Sequence, residues 1–217
     1  MNIRVFLADD HAVVRDGLRF LLEAQGDIRV IGDAEDGRAA VRQALQLQPD
    51  VVIIDIAMPA LNGIEATQQI CAACPATRVI ILSMHSSSEH VFRALQAGAC
   101  GYLLKESAGA EVVQAVRAVH AGRRYLSEKI ADQESADYLR QRQDGEARSP
   151  LARLSPRERE VLQLVAEGRS SAEIAALLHL SPKTIETYRS RLMQKLGLSD
   201  LPSLVRFAIQ HGLTPLD

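Results

Sequence analysis

The chain has 217 residues, a formal net charge of −2 and 47% hydrophobic residues, which is enough for two small domains and leaves no room for a third. No apolar run approaches the roughly 18 residues that a membrane-spanning helix needs, and the first residues read as a strand rather than a signal peptide. We therefore expect a cytoplasmic protein with no membrane partner. The three cysteines, an odd number, predict no disulfide framework.

Charge is unevenly distributed along the chain. Residues 1–128 carry a small excess of acidic side chains, whereas residues 151–217 carry a small excess of basic ones. This difference favours a nucleic-acid-binding module at the C-terminal end.

Two apolar segments end on carboxylates. Residues 3–8 form a short strand pattern that stops at Asp9 and Asp10, and the β-branched residues 51–54 stop at Asp55. The carboxyl ends of parallel strands meet at one edge of a sheet, so these carboxylates are predicted to cluster. Crowded carboxylates repel each other unless a cation lies among them, and Mg²⁺ prefers such oxygen ligands. Helix or turn capping is the alternative, but it explains only one or two of the three acids.

Strand and helix patterns alternate through the first part of the chain. Strands are predicted over 3–8, 29–34, 51–54, 78–83 and 101–104, with helices over 12–22, 37–47, 62–74, 89–96 and 111–121. Five such units predict an α/β flavodoxin-like, doubly wound parallel sheet with strand order 2-1-3-4-5. This order makes the first and third strands neighbours and brings Asp9, Asp10 and Asp55 together.

Two further side chains end predicted strands. Ser83 contributes a hydroxyl and Lys105 an ammonium group, and an anion attached to Asp55 requires such partners. Residues 1–125 resemble the receiver domain of bacterial two-component response regulators. The residues that carry the resemblance are Asp9-Asp10, Asp55 with Met58-Pro59 and Gly63, Ser83, and the segment Gly101-Tyr102-Leu103-Leu104-Lys105.

The resemblance implies a set of roles for these residues. A sensor histidine kinase would phosphorylate Asp55, and Asp9, Asp10, Asp55 and the carbonyl of Ala57 would hold Mg²⁺. Lys105 and Ser83 would contact the phosphoryl group, and Tyr102 would turn inward as Ser83 moves.

Several nearby residues invite other interpretations. Glu106 follows Lys105 where many receivers have proline, so a trans peptide bond is predicted there. We interpret His85 as an exposed loop residue rather than one that orients a hydrolytic water, and His11 as a residue at the rim of the pocket. Cys71 and Cys74 are interpreted as small, partly buried hydrophobic residues and not as a redox pair.

Residues 126–150 form a polar linker by composition. A helix is possible over 130–142, flexibility is expected over 144–150, and nothing in the sequence determines how the two domains dock.

Residues 151–217 are predicted to form an all-α, four-helix helix-turn-helix domain. Ser155-Pro156 begins the first helix, residues 171–178 form a short second helix, Ser181-Pro182 begins a third that reaches about Leu196, and residues 200–211 form a fourth. The short helix, tight turn and longer basic helix are typical of a helix-turn-helix.

The segments Leu154–Leu162 and Lys183–Gly197 resemble the motifs of the LuxR-type DNA-binding domain, and the resemblance covers residues 154–198. With the receiver in front, the whole chain resembles a NarL/FixJ-type response regulator. On this interpretation the third helix contacts DNA. The alternative, which its charges alone favour, is that its basic residues form an ordinary solvent-exposed face. Glu186, Thr187 and Ser190 are assigned to base edges and the longer side chains to phosphates. Tyr188 replaces a histidine frequent in the motif. The predicted DNA-contacting residues are Lys183, Thr184, Glu186, Thr187, Tyr188, Ser190, Arg191 and Lys195.

The predicted function is a phosphorylation-controlled transcriptional regulator that is not an enzyme and that dimerises through its receiver and the final helix, Leu201 to Ile209. One alternative is a regulator of the same architecture that works without phosphorylation. The other is an aspartyl-phosphate phosphatase, which needs a second acid two residues after its nucleophile. Ala57 stands at that position here.

Overall fold

In the computed structural model, residues 2–131 and 150–214 are described. The N-terminal part contains a parallel sheet of order β2-β1-β3-β4-β5-β6. Its strands are β1 (Ile3–Ala8), β2 (Ile28–Ala34), β3 (Val51–Asp55), β4 (Arg78–Ser83), β5 (Gly101–Leu104) and β6 (Tyr125–Leu126). The predicted order 2-1-3-4-5 is confirmed, and β6, which was not predicted, extends the sheet beside β5.

Helices cover both faces of this sheet. They are α1 (Ala12–Glu23), α2 (Gly37–Leu47), α3 (Gly63–Ala73), α4 (Ser88–Gln96) and α5 (Ala108–His120). Successive residues of a strand point to opposite faces, so Ile54 packs with residues of α2, α3 and α4, whereas Ile53 packs with α1 and α5. A strand buried on both faces requires the continuous apolar run found in β3.

The receiver-like part continues past its last helix. Ile130 is 1% exposed and packs into the core formed with α2, α3 and α4. Residues 128–131 are helical, and the rest of the helix predicted over 130–142 lies outside the described residues. Of the segment predicted to be flexible, 144–149 also lies outside them, while Pro150 begins a short 3₁₀ helix, Pro150–Arg153.

The C-terminal part is helical, with α6 (Pro156–Ala166), α7 (Ser171–Leu178), α8 (Pro182–Leu196) and α9 (Leu201–Gln210). Ser155 and Ser170 form capping boxes with Glu158 and Glu173, and Ser181 caps α8 by accepting from the Thr184 N–H. The turn between α7 and α8 begins at His179, whose φ is 54°. One apolar core, built around side chains such as Leu162, Ile174, Ile185 and Leu204, joins the four helices.

None of the helices within the described residues is both long and apolar enough to cross a membrane.

Candidate functional site

The C-terminal edge of the sheet brings the predicted acids together. Ala8 of β1 pairs with Ile54 of β3, so Asp9 and Asp55 follow at neighbouring strand ends. Both are almost completely buried, at 1% and 3% exposure, whereas Asp10 is half-buried. Burial raises the pKa of Asp55 because it disfavours the charged carboxylate, and the charges of Asp9 and Asp10 add to this effect.

Lys105 supplies the positive charge of this edge. Its Nζ lies 2.9 Å from Asp55 Oδ2 and 2.8 Å from Asp9 Oδ2. Burial works against the ammonium charge, but the carboxylates of Asp55 and Asp9 outweigh it and raise the pKa of Lys105. The peptide bond from Lys105 to Glu106 is trans, as predicted. One ammonium group compensates only part of the charge of three carboxylates.

The geometry suits a divalent cation. Asp9, Asp10, His11 and Asp55 each offer one ligand atom, and these atoms all lie within 4.8 Å of one another. Asp9 Oδ2 and Asp10 Oδ1 lie close to Lys105 Nζ and His11 Nδ1, but neither buried oxygen receives a properly oriented hydrogen bond. Each of these carboxylate oxygens keeps a lone pair that is available to a metal.

His11 contacts the acids more directly than a rim residue would. Its Nδ1 lies 2.7 Å from Asp10 Oδ1 and 3.2 Å from Asp9 Oδ1, although the side chain is 65% exposed. No sequence pattern indicated this contact beyond the position of His11 next to the acidic pair.

Polar contacts link Ser83 and Tyr102 through the backbone of His85. The Ser83 hydroxyl accepts a hydrogen bond from the His85 N–H (2.9 Å), and the Tyr102 hydroxyl donates to the His85 carbonyl (2.7 Å). Tyr102 is fully buried, which raises its pKa to about 12. The loop after β4 is thus bonded both to a strand-end hydroxyl and to an inward-facing tyrosine. The His85 side chain is exposed, as predicted.

The cysteines lie away from this edge. Cys71 is half-buried near the end of α3, and Cys74, which follows the helix, is buried. Burial raises the pKa of Cys71 to about 11, so its thiol stays protonated at neutral pH and reacts poorly. This agrees with the interpretation of both residues as small hydrophobic side chains.

The outer face of α8 is open to solvent. Of the predicted DNA-contacting residues, Thr184 and Tyr188 are half-buried, and the exposed ones are Lys183, Glu186, Thr187, Ser190, Arg191 and Lys195. Four of the exposed residues have side-chain partners in their own domain. Thr187 Oγ1 donates to the Lys183 carbonyl (3.0 Å), and Ser190 Oγ donates to the Glu186 carbonyl (3.0 Å). Glu186 accepts a hydrogen bond from Ser171 and lies 3.6 Å from Arg189, and Lys195 Nζ lies 2.8 Å from Glu158.

The two domains meet through α6 and the end of α9, a contact that sequence reasoning missed. Arg159 of α6 forms a bidentate ion pair with the buried Glu65 of α3, from Nε to Oε1 (2.6 Å) and from Nη2 to Oε2 (3.1 Å). The Gly212 carbonyl accepts from Asn62 Nδ2 (3.1 Å). Buried polar residues at a helix start, such as Glu65, resemble ordinary surface charges in a sequence, so no pattern marked them.

Family models match both parts of the chain. Residues 5–117 match the response regulator receiver domain, and residues 152–208 match the bacterial regulatory proteins of the luxR family. The site at the sheet edge and the helix-turn-helix therefore belong to two known modules that occur here in one chain.

Full-length relatives have the same arrangement. The transcriptional regulatory protein LiaR of Bacillus subtilis (strain 168) is 41% identical, over 97% of this chain and 99% of its own. The response regulator UvrY of Escherichia coli (strain K12) is 39% identical, over 97% and 95%. A structure of Salmonella typhimurium RcsB is 31% identical, with a TM-score of 0.59 over 95% of this chain and 97% of its own. The chain therefore belongs to the NarL/FixJ-type response regulators, which join a receiver domain to a LuxR-type DNA-binding domain.

Proposed function

We propose that Asp55 is the phosphoryl acceptor of this response regulator, that a sensor histidine kinase is the donor, and that phosphorylation controls binding to operator DNA. The observation that carries the proposal is the pairing of the buried Asp55 carboxylate with Lys105 at 2.9 Å, beside Asp9 and Asp10. A buried acid so placed is poised for chemistry at a strand end, where ligands of such sheets bind.

Residues of this chain supply the nucleophile and the partners of the transferred group. An Asp55 oxygen attacks the phosphorus of a phosphohistidine, the P–N bond breaks, the imidazole leaves with a proton from solvent, and an acyl phosphate forms. Lys105, already in contact with Asp55, pairs with an oxygen of the transferred group, and Ser83 donates its hydroxyl to another. Bound Mg²⁺, held by Asp9, Asp10, Asp55 and the Ala57 carbonyl, would neutralise charge that develops on the phosphoryl oxygens.

The output is proposed to be a dimer on DNA. One helix-turn-helix offers few contacts, so tight binding needs two half-sites. A structure of two RcsB dimers bound to two parallel DNAs, 30% identical to this chain with a TM-score of 0.59, supports the proposal. We assign Glu186, Thr187 and Ser190 to base edges, and Lys183, Thr184, Tyr188, Arg191 and Lys195 to phosphates.

Labelling with a small acyl phosphate tests the assignment. The wild-type chain should acquire one acid-stable, base-labile phosphoryl group in Mg²⁺, and Asp55→Asn should acquire none because an amide forms no mixed anhydride. Asp10→Ala should label weakly and need more Mg²⁺. Labelling of Asp55→Asn at the wild-type level would refute the site.

Two further measurements, phosphomonoester turnover and DNA binding, separate the alternatives. A phosphatase would turn over a phosphomonoester many times per chain, whereas a regulator would not. A phosphorylation-independent regulator would bind DNA equally well before and after labelling.

A further inference from the structure

The loop between β3 and α3, residues 56–62, is held by a side chain of the other domain. Gln163 lies on α6 of the DNA-binding domain and is 1% exposed. Its Nε2 donates to the Met58 carbonyl (2.8 Å), and its Oε1 accepts from the Asn62 N–H (2.6 Å). The carboxamide therefore bridges two points of the loop, as a neighbouring peptide group would.

Glu167, one turn further along α6, completes this contact. Its Oε1 accepts from the Ala60 N–H (3.0 Å) and from Gln163 Nε2 (2.8 Å), which orients the carboxamide. Ala60 has a φ of +65°, a left-handed conformation that is unfavourable for alanine. The backbone conformation at Ala60 is therefore stabilised by a contact from the other domain and not by the intrinsic preference of alanine.

This loop also begins directly after Asp55, the proposed phosphorylation site. The Ala57 carbonyl, assigned above to Mg²⁺, precedes Met58 directly. At the end of the loop, Gly63 lies so close to Asp55 that a Cβ built on it would be 1.9 Å from the Asp55 carbonyl oxygen. A change in the Met58 to Asn62 backbone therefore reaches the atoms around Asp55.

We infer that Gln163 is a positioning residue for the phosphorylation site, and that the docked DNA-binding domain holds the Ala57 carbonyl in place for Mg²⁺. The inference rests on the proposed function. Because coupling between two sites is reciprocal, Mg²⁺ binding should in turn favour docking of α6 on the loop.

The test is Mg²⁺ titration of the full, unphosphorylated chain by calorimetry. Removal of a side chain that supports a metal ligand typically weakens metal binding, so Gln163→Ala should raise the Mg²⁺ dissociation constant roughly 10-fold. Gln194→Ala is the matched control, since it makes the same change at an exposed glutamine on α8 of the same domain. It should bind Mg²⁺ like the wild type.

A second readout separates positioning from damage to the fold. In acyl-phosphate labelling, Gln163→Ala should need more Mg²⁺ for its half-maximal rate but reach the wild-type rate at saturation. Glu167→Gln keeps an acceptor for the Ala60 N–H and should shift the half-maximal Mg²⁺ concentration in the same direction but by less. If Gln163→Ala does not fold, Glu167→Gln is the test variant in its place.

The outcomes distinguish the two proposals. If the wild type binds Mg²⁺ and is labelled on Asp55 but Gln163→Ala matches it, the role of Gln163 is refuted and the proposed function stands. A labelling rate that stays low at saturating Mg²⁺ also refutes positioning. If the wild type itself is not labelled, the proposed function is refuted, and this inference, which rests on it, is refuted as well.

Discussion

The Lys105 ammonium lies 2.9 Å from Asp55 Oδ2 and is the one lysine among the described residues that contacts this carboxylate. It therefore already occupies the place where a phosphoryl group attached to Asp55 needs a positive charge. Lys105→Ala should slow acyl-phosphate labelling about 100-fold, since a preorganised donor at a developing charge is worth this much.

Lys105→Arg is the control for Lys105→Ala. It keeps the charge but replaces a compact ammonium with a planar group, so partial activity is expected. An alanine variant that labels at the wild-type rate would show that Lys105 merely balances the charge of the acids.

Residues of α8 should divide into those that anchor phosphates and those that read bases. Lys183 is exposed at the start of the helix, and Lys183→Ala should weaken binding to all sequences alike and lower the salt slope by about one. Glu186→Ala should cost about 1 to 3 kcal/mol at one base pair and relax the preference there. Binding to single-base variants of a selected site, at two salt concentrations, measures both effects.

The contacts of Glu186 with Ser171 and Arg189 are the basis of the alternative, in which Glu186 has a structural role and does not contact bases. A Glu186→Ala variant that loses affinity equally for every sequence would make Glu186 a structural partner of these residues rather than a reader.

His90 should make stability fall in mild acid. It lies on α4 close to Gly212, its ring stacks on His85, and burial together with the charges of His85 and Arg93 lowers its pKa from 6.5 to about 4. The unfolded chain then binds a proton at higher pH than the folded chain does. Stability attributable to His90 is present above about pH 6.5 and is lost as the pH falls towards 4.

Denaturant unfolding at about pH 7.5 and about pH 5 measures this loss. The His90→Gln variant should lose less stability between the two than the wild type. Equal losses in both proteins would show that the pH dependence does not come from His90.

Ala60→Gly should stabilise the protein. Glycine adopts a φ of +65° without the steric cost that alanine pays, and this gain exceeds the added entropy of the unfolded chain, so we expect about 0.5 to 1 kcal/mol. Ala24→Gly is the control, because exposed Ala24 has an ordinary φ of −61° and its replacement should destabilise. Destabilisation by Ala60→Gly would mean that the methyl group of Ala60 makes a contact worth more than the strain.

The sequence predicted the elements whose signals are local. An apolar run that ends on a carboxylate marked β1 and β3, and their neighbouring positions followed from the strand order, so the cluster of Asp9, Asp10 and Asp55 was foreseeable. The two-residue strand Tyr125–Leu126 was not, because so short a segment has no periodicity.

No sequence pattern predicted the contact between the domains. Glu65 and Gln163 are buried and bond to residues of the other domain, yet each follows the polar spacing of a solvated helix face. Tertiary context decides the burial of such residues, and a single sequence contains no signal for it.

The most direct test of the central claim is DNA binding as a function of phosphorylation at Asp55. A DNA site can be selected from a random pool with acyl-phosphate-treated protein, and its affinity then measured for the wild type and Asp55→Asn with and without the acyl phosphate. Control by phosphorylation of Asp55 predicts that treatment tightens binding of the wild type and leaves Asp55→Asn at the untreated level. An equal gain in both proteins, or no gain in a fully labelled wild type, would contradict control by phosphorylation of Asp55.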